Sequence, residues 1–202
     1  MKIRGKHIIF EGPDGVGKST LSKKIARELV IKEIPLIWTY EPTKNEIGSY
    51  VRQLLANGVA PDMDLFTLDR EIHYSQLSPL LEAGVWVIQD RYFYSTAAYQ
   101  SQKLEDIPII LNKNRQIVPE PDLCFLLMSD DPKYLDYNIA EKTTQDVFEN
   151  EEHRGKVRNY YKYMLDNELF ECKLEVIHTN QYDINTCTDM ILSSIFTQYP
   201  LL

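Results

Sequence analysis

Apolar residues along this chain follow two rhythms. Short, nearly unbroken runs cover His7–Phe10, Leu36–Thr39, Val85–Gln89, Leu123–Met128 and Leu174–His178. Strands buried on both faces read this way, because neither face calls for polar alternation. Between the runs, apolar positions return every third or fourth residue, as on one face of a helix. Leu21, Ile25 and Leu29 form one such stripe, and Ile47, Tyr50, Val51, Leu54 and Leu55 a second. A longer stretch sets Phe66, Asp69, His73, Leu77, Leu80 and Leu81 on one side, interrupted by polar groups. Val157, Tyr160, Tyr161, Met164 and Leu165 make a fourth stripe, and Ile184, Ile191, Leu192, Ile195 and Phe196 a fifth. Alternating strands and helices predict a parallel sheet covered on both faces. Residues 102–122 keep neither rhythm, and Pro108, Pro119 and Pro121 predict an irregular crossover there. No internal repeat or low-complexity linker divides the chain, so one domain is expected across residues 1–202.

The first apolar run ends in Gly12-Pro13-Asp14-Gly15-Val16-Gly17-Lys18-Ser19, a complete GxxxxGK[ST] between a strand and a helix. The glycines permit a sharp turn that aims successive N–H groups at phosphate oxygens. Lys18 adds a point charge at the transferring phosphates, Ser19 offers a hydroxyl to Mg²⁺, and the helix that follows contributes its positive end. ATP-binding positions are therefore Gly12, Gly15, Val16, Gly17, Lys18, Ser19 and Thr20. A GTPase would read its base with an NKxD-type segment, and Asn112-Lys113-Asn114-Arg115 is not one. A motor or remodelling ATPase would need more chain, so a small-molecule kinase is the expected class.

Composition narrows the partners. The 202 residues are 44% hydrophobic and 26% charged, an ordinary globular balance, and 22 basic against 30 acidic residues leave a formal charge of −8. Such a field argues against a nucleic-acid polymer, yet a local cradle of amides and cations can hold a small anion. Cys124, Cys172 and Cys187 are widely spaced and form no zinc pattern with the four histidines, as expected of reduced thiols. The four-residue apolar stretch before Glu11 is too short for a signal peptide or membrane span. The expected location is the cytoplasm, with no membrane association.

Asp90-Arg91 follows the third apolar run, at the strand edge where open α/β sheets bind ligands. An aspartate there can hold Mg²⁺ or orient the attacking oxygen, and an arginine can clamp a phosphate with two parallel bonds. Around these residues the chain resembles the thymidylate kinase family. The resemblance rests on Phe10-Glu11-Gly12 through Thr20, on Glu41-Pro42-Thr43 with Ile47-Gly48 and Val51-Arg52, and on Leu65 through His73. It continues through Asp90-Arg91-Tyr92-Phe93-Tyr94-Ser95-Thr96-Ala97-Ala98-Tyr99-Gln100, then Pro121-Asp122-Leu123, Asp131-Pro132, and Asp146 with Phe148-Glu149. Each motif is weak alone; six in the right order are specific.

The resemblance implies a three-layer α/β/α P-loop kinase domain, its five-stranded parallel sheet in the order 2-3-1-4-5. It implies transfer of the γ-phosphoryl of ATP, as the Mg²⁺ complex, to dTMP, in a homodimer packed through helices. Phe66 would stack on the pyrimidine, Arg70 would donate to a base carbonyl, and Gln100 would present its amide to the base edge. Tyr99 would crowd the sugar 2′ position, Asp14 would sit near the 3′-hydroxyl, and Arg52 and Arg91 would hold the monophosphate. Glu41 and Ser95 complete the acceptor set. Lys18, Arg91, Asp90 and Asp14 carry the catalytic expectation, Ser19 and Asp90 that for the metal, and Lys142 and Glu149 that for a short lid around 138–152. By default Phe66 and Tyr99 would be packing residues, and Arg52 and Arg70 solvated helix charges.

Two features depart from the family. Its lid, or its phosphate loop, carries arginines that neutralise the transferred phosphoryl. Here the loop has none, and Asn138, Lys142 and Val147 stand where lid arginines are expected. Glu141–Glu152 holds one basic residue against five acidic ones, leaving Lys142, Arg154 or Arg158 as substitutes. Tyr40 precedes Glu41-Pro42, where many members have arginine. Two other readings stay open: a kinase of this fold acting on dUMP, UMP or CMP, and a nucleotide-binding regulatory protein with impaired catalysis.

Overall fold

A computed structural model describes residues 3–131, 134–135 and 151–200. All five apolar runs are strands: β1 His7–Glu11, β2 Leu36–Tyr40, β3 Trp86–Asp90, β4 Leu123–Met128 and β5 Lys173–His178. The helices are α1 Lys18–Ile31, α2 Glu46–Ala56, α3 Met63–Glu82, α4 Phe93–Gln100, α5 Asp106–Arg115, α6 Glu151–Asp166 and α7 Ile184–Gln198. The strands pair in parallel in the order β2-β3-β1-β4-β5, as the family resemblance implied.

Alternation along the strands feeds two cores. Ile8 and Phe10 of β1 face one side of the sheet, packing with Phe125, with Ile25 and Leu29 of α1, and with Ile191 and Ile195 of α7. Ile9 faces the other, among Cys124, Leu126, Phe93 of α4, Leu111 of α5, and Tyr161 and Met164 of α6. Three layers result, and β1 lies at their centre. Its neighbours β3 and β4 belong to opposite halves of the sheet, so the crevice where ligands bind in such folds opens beyond the end of β1.

Residues 102–122 are more regular than the prolines suggested. They contain α5, with Pro108 as its third residue. In the first turn of a helix the missing proline N–H leaves no bond unmade. Pro119 and Pro121 then carry the chain into β4. Helix α4 shows no stripe because Phe93–Ala98 are all buried. Conversely, Tyr50 and Leu80 sit on expected apolar stripes yet are 50% and 37% exposed. Lys142 and Glu149, with most of the lid segment, lie outside the described residues; Glu151 and Glu152 open α6.

Candidate active site

The phosphate loop leaves β1 at Glu11 and enters α1 at Lys18. Its turn is so tight against the sheet that side chains are excluded at two points. Gly12 has φ +135°, and a Cβ there would lie 2.1 Å from the Leu127 carbonyl oxygen. Gly15 has φ +84°, and its Cβ would lie 2.6 Å from the Leu135 oxygen. The loop from Asp14 to Thr20 walls a cavity of about 480 Å³, completed by Arg91, Tyr134, Thr179 and Tyr182. Lys18 is buried at its base, its Nζ donating to the Pro13 carbonyl at 2.7 Å and lying 4.0 Å from Asp14. Burial, then the neighbouring Arg91 charge, push its ammonium down to about 7 against the pull of Asp14 and Asp90.

Opposite the loop, β3 delivers Asp90 and Arg91. Ser19 Oγ donates to Asp90 Oδ2. The other carboxylate oxygen, Oδ1, is buried with no hydrogen-bond partner among the described residues. Arg91 takes φ +69°, a left-handed conformation that costs a non-glycine residue energy and tends to mark functional positions. The turn aims its guanidinium at Asp14, to which Nη2 donates, and at Ser95 Oγ, 3.1 Å from Nη1. Tyr99 lies with its ring 5.0 Å from that guanidinium and donates its hydroxyl to Asp14 Oδ2 at 2.6 Å. Burial works against the Arg91 charge, but Tyr99 and Asp14 outweigh it and hold its pKa well above the ordinary value.

A carboxylate that no motif argument assigned a role supports this turn. Glu11 is wholly buried and accepts four hydrogen bonds: from the backbone N–H of Tyr92 (2.7 Å) and Ser95 (3.1 Å), and from the hydroxyls of Ser95 and Tyr161 (2.7 Å each). The Tyr92 N–H at the start of α4 is thereby satisfied, the Ser95 N–H is shared between Glu11 and the Tyr92 carbonyl (3.2 Å), and α6 is tied to the phosphate loop. Burial still pushes the Glu11 carboxyl up from its ordinary value, against the hydrogen bonds of Ser95 and Tyr161 and the charge of Arg91.

A second cavity, about 320 Å³, is bounded by Phe66, Arg70, Tyr92, Thr96 and Gln100, with Tyr40, Pro42 and Arg52 at one side. Arg70 is 2% exposed, not a solvated helix charge. Its Nε donates to Glu41 Oε2 at 2.8 Å, Nη1 to Asn114 Oδ1 at 2.5 Å and Nη2 to Thr96 Oγ1 at 2.9 Å. Glu41 also borders the cavity, but both its oxygens are committed, Oε1 to His73 Nδ1 (3.1 Å) and Gln89 Nε2 (3.0 Å). Burial would raise its pKa; Arg70 and His73 prevail and hold it below the usual carboxylate range. Its position is that of a mount for Arg70. Arg52 donates to the Pro42 carbonyl at 2.5 Å and lies 5.8 Å from the Tyr40 ring. Gln100 Nε2 has no hydrogen-bond partner among the described residues.

The two cavities share Asp14, Ser19 and Arg91. Of the candidate residues named from the sequence that the structure describes, all but Arg154 and Arg158 lie at one or other cavity or in the loop. Arg154 and Arg158 of α6 line a small cleft with Pro13, Asp14 and Tyr99, directly beside the loop. Sequence reasoning gave no role to Glu11, Tyr161, His73, Gln89, Thr96 or Asn114. Glu11 carried one usable signal, a charge ending a strand otherwise apolar on both faces.

A parallel sheet with a phosphate loop at its switch point, and a second cavity meeting the first at cationic residues, defines a P-loop nucleotide kinase. The sequence model for thymidylate kinase matches residues 10–191. Relatives include the thymidylate kinase of Leptospira borgpetersenii, 36% identical over 80% of this chain and 82% of that protein. The probable thymidylate kinase of Methanocaldococcus jannaschii is 35% identical over 81% of this chain and 83% of its own. That of Desulfotalea psychrophila is 44% identical over a shorter stretch, 61% of this chain and 63% of the relative's length. The solved thymidylate kinase of Candida albicans superposes with a TM-score of 0.78 over 96% of this chain and 92% of that one; at 22% identity the likeness is one of fold. The chain belongs to the thymidylate kinase family.

The Glu11 arrangement yields a stability prediction. Glu11→Gln sets an amide N–H₂ among donors and should cost about 2–3 kcal/mol, whereas Tyr161→Phe removes one of the four bonds to Glu11 and should cost about 1 kcal/mol. Urea unfolding of both variants measures the difference. Equal losses would contradict the assignment of four converging bonds to Glu11.

Proposed function

We propose that this protein transfers the γ-phosphoryl group of ATP to the 5′-phosphate of dTMP, giving dTDP and ADP. The observation that carries the reading is the meeting of the two cavities at Asp14, Ser19 and Arg91, which lets a donor and an acceptor phosphate face each other across one set of polar groups. The acceptor is anionic at neutral pH, so no strong general base is required. Catalysis rests on alignment and charge neutralisation.

In this reading the loop amides and Lys18 hold the ATP phosphates, and Arg91 and Arg52 hold the monophosphate. Phe66 stacks on thymine, Arg70 and Gln100 meet its polar edge, Tyr99 excludes a 2′-hydroxyl, and Asp14 accepts from the 3′-hydroxyl. Ser95 braces Arg91. Ser19 and Asp90 are hard oxygen donors suited to Mg²⁺, and the uncommitted Oδ1 of Asp90 fits that role. The cation, when bound, neutralises charge on the transferred phosphoryl. Arg154 and Arg158, beside Asp14, are assigned the part that lid arginines play elsewhere in the family.

A single kinase domain across residues 1–202, with a lid around 138–152, completes the proposal. We further assign a homodimer packed through helices; Leu68 of α3 and Ile109 of α5, 42% and 68% exposed, are apolar positions available for it. No described helix is long and apolar enough to cross a membrane, and the three cysteines are free thiols. The cytoplasm is the location we assign.

Coupled ADP release with Mg-ATP against dTMP, dUMP, UMP, dCMP, CMP and AMP tests the reading: turnover should be strongest with dTMP. Preference for another monophosphate would move the substrate, and absence of turnover in a protein that binds ATP would remove the catalytic assignment. In the same assay Arg158→Ala and Arg154→Ala together should lower kcat about 10²–10³-fold, the size of effect seen when a transition-state donor is lost. Unchanged kcat would take the neutralising role from α6.

The depressed pKa of Lys18 predicts proton uptake on nucleotide binding. Above about pH 7 the free protein has partly lost this proton, and bound phosphates restore the ammonium. Affinity for Mg-ATP should therefore fall as pH rises above 7. Calorimetry at pH 8, in buffers of different ionisation enthalpy, should register uptake of up to one proton; heats independent of buffer would contradict this.

A further inference from the structure

The segment Asn112-Lys113-Asn114-Arg115, which fails as a GTPase base-reading motif, contains one residue wholly shielded from solvent. Asn114 lies in the last turn of α5 at 0% exposure. Its Nδ2 donates to the Ile110 carbonyl at 2.9 Å, and its Oδ1 accepts from Arg70 Nη1 at 2.5 Å. These bonds fix the amide's orientation: a flip would turn a donor towards the guanidinium and an acceptor towards a carbonyl oxygen. Asn114 does not itself border the acceptor cavity, whereas Arg70 does.

We propose that Asn114 is a positioning residue for base selection, acting through Arg70. The inference rests on the reading of Arg70 as a base contact. A guanidinium carries five N–H bonds in one rigid plane. Glu41 after β2, Asn114 of α5 and Thr96 of α4 each take one, so the plane cannot rotate and two N–H bonds remain for a ligand. Thymine presents a carbonyl acceptor at the ring position where cytosine presents an amino donor. A fork held in place favours the first and rejects the second. Without the Asn114 acceptor, the guanidinium gains a torsional escape, and the rejection weakens.

Steady-state kinetics with Mg-ATP, comparing dTMP and dCMP as acceptors, tests this. Asn114→Leu should raise KM for dTMP about tenfold, leave kcat within about threefold, and reduce the preference for dTMP over dCMP about tenfold. Asn114→Asp, which keeps an acceptor oxygen on Arg70, should retain the preference within about threefold. If Asn114→Leu does not fold, Asn114→Ser carries the same expectation. A purely structural role for Asn114 would weaken both acceptors alike, and an unchanged dTMP:dCMP ratio in a folded variant would overturn the proposal. The unmodified protein serves as the separate control. If it does not itself prefer dTMP to dCMP, the reading of Arg70 fails, and the inference fails with it.

Discussion

A carboxylate removed from water must find its hydrogen bonds inside the protein, and Glu11 finds all of its own at the junction of three elements. It ends the central strand, just where the phosphate loop departs. Its partners are the first amides of α4, the Ser95 hydroxyl and the Tyr161 hydroxyl of α6. Because an unsatisfied buried charge costs several kcal/mol, none of these elements can drift without exposing that cost. The left-handed turn at Arg91 lies between β3 and the helix Glu11 holds, so the strain there is supported by the same bonds. The phosphate loop, the arginine that faces it and helix α6 thus share one anchor.

The chain's net charge of −8 opposes the binding of polyanions, and the site overcomes it locally. Lys18, Arg91, Arg52, Arg154 and Arg158 gather around the two cavities and the adjacent cleft, with the loop amides and the start of α1. Burial first, and then the crowding of like charges, carry their own cost, visible in the depressed pKa of Lys18. Asp14 tempers the crowding by accepting from Arg91 and Tyr99 while lying near Lys18. A bound phosphate would relieve the repulsion further, so the ligand-free site is electrostatically poised for anions even within an acidic protein.

What the sequence made legible was local. The phosphate loop is a contiguous motif, and strands buried on both faces announce themselves by unbroken apolar runs. Pro108 misled because a proline in the first turn of a helix looks, in sequence, like a proline in a loop. Helix α4 had no stripe to find, being buried all round. Motif and family pattern picked out residues that line the two cavities, but not the residues that mount them. Arg70 and Asn114 are 44 positions apart, and Glu11 and Tyr161 are 150 apart. No periodicity or spacing rule connects residues at such distances; only the topology brings them together.

Two buried polar systems emerge, one around Glu11 and Arg91 and one around Arg70, and α4 belongs to both. Ser95 binds Glu11 and Arg91, and the next residue, Thr96, binds Arg70. Consecutive helical residues point about 100° apart, so one rigid turn faces the Arg91 system with one hydroxyl and the Arg70 system with the other. Because Phe93–Ala98 are packed on every side, the turn cannot shift to suit one system alone. The separation between the guanidinium of Arg91 and that of Arg70 is then set by helix geometry, not by side-chain adjustment. In the proposed reading, with Arg91 at a phosphate and Arg70 at a base, an acceptor must match that separation to engage both, which is a physical reason for such a site to select a nucleotide of one length and one base edge together.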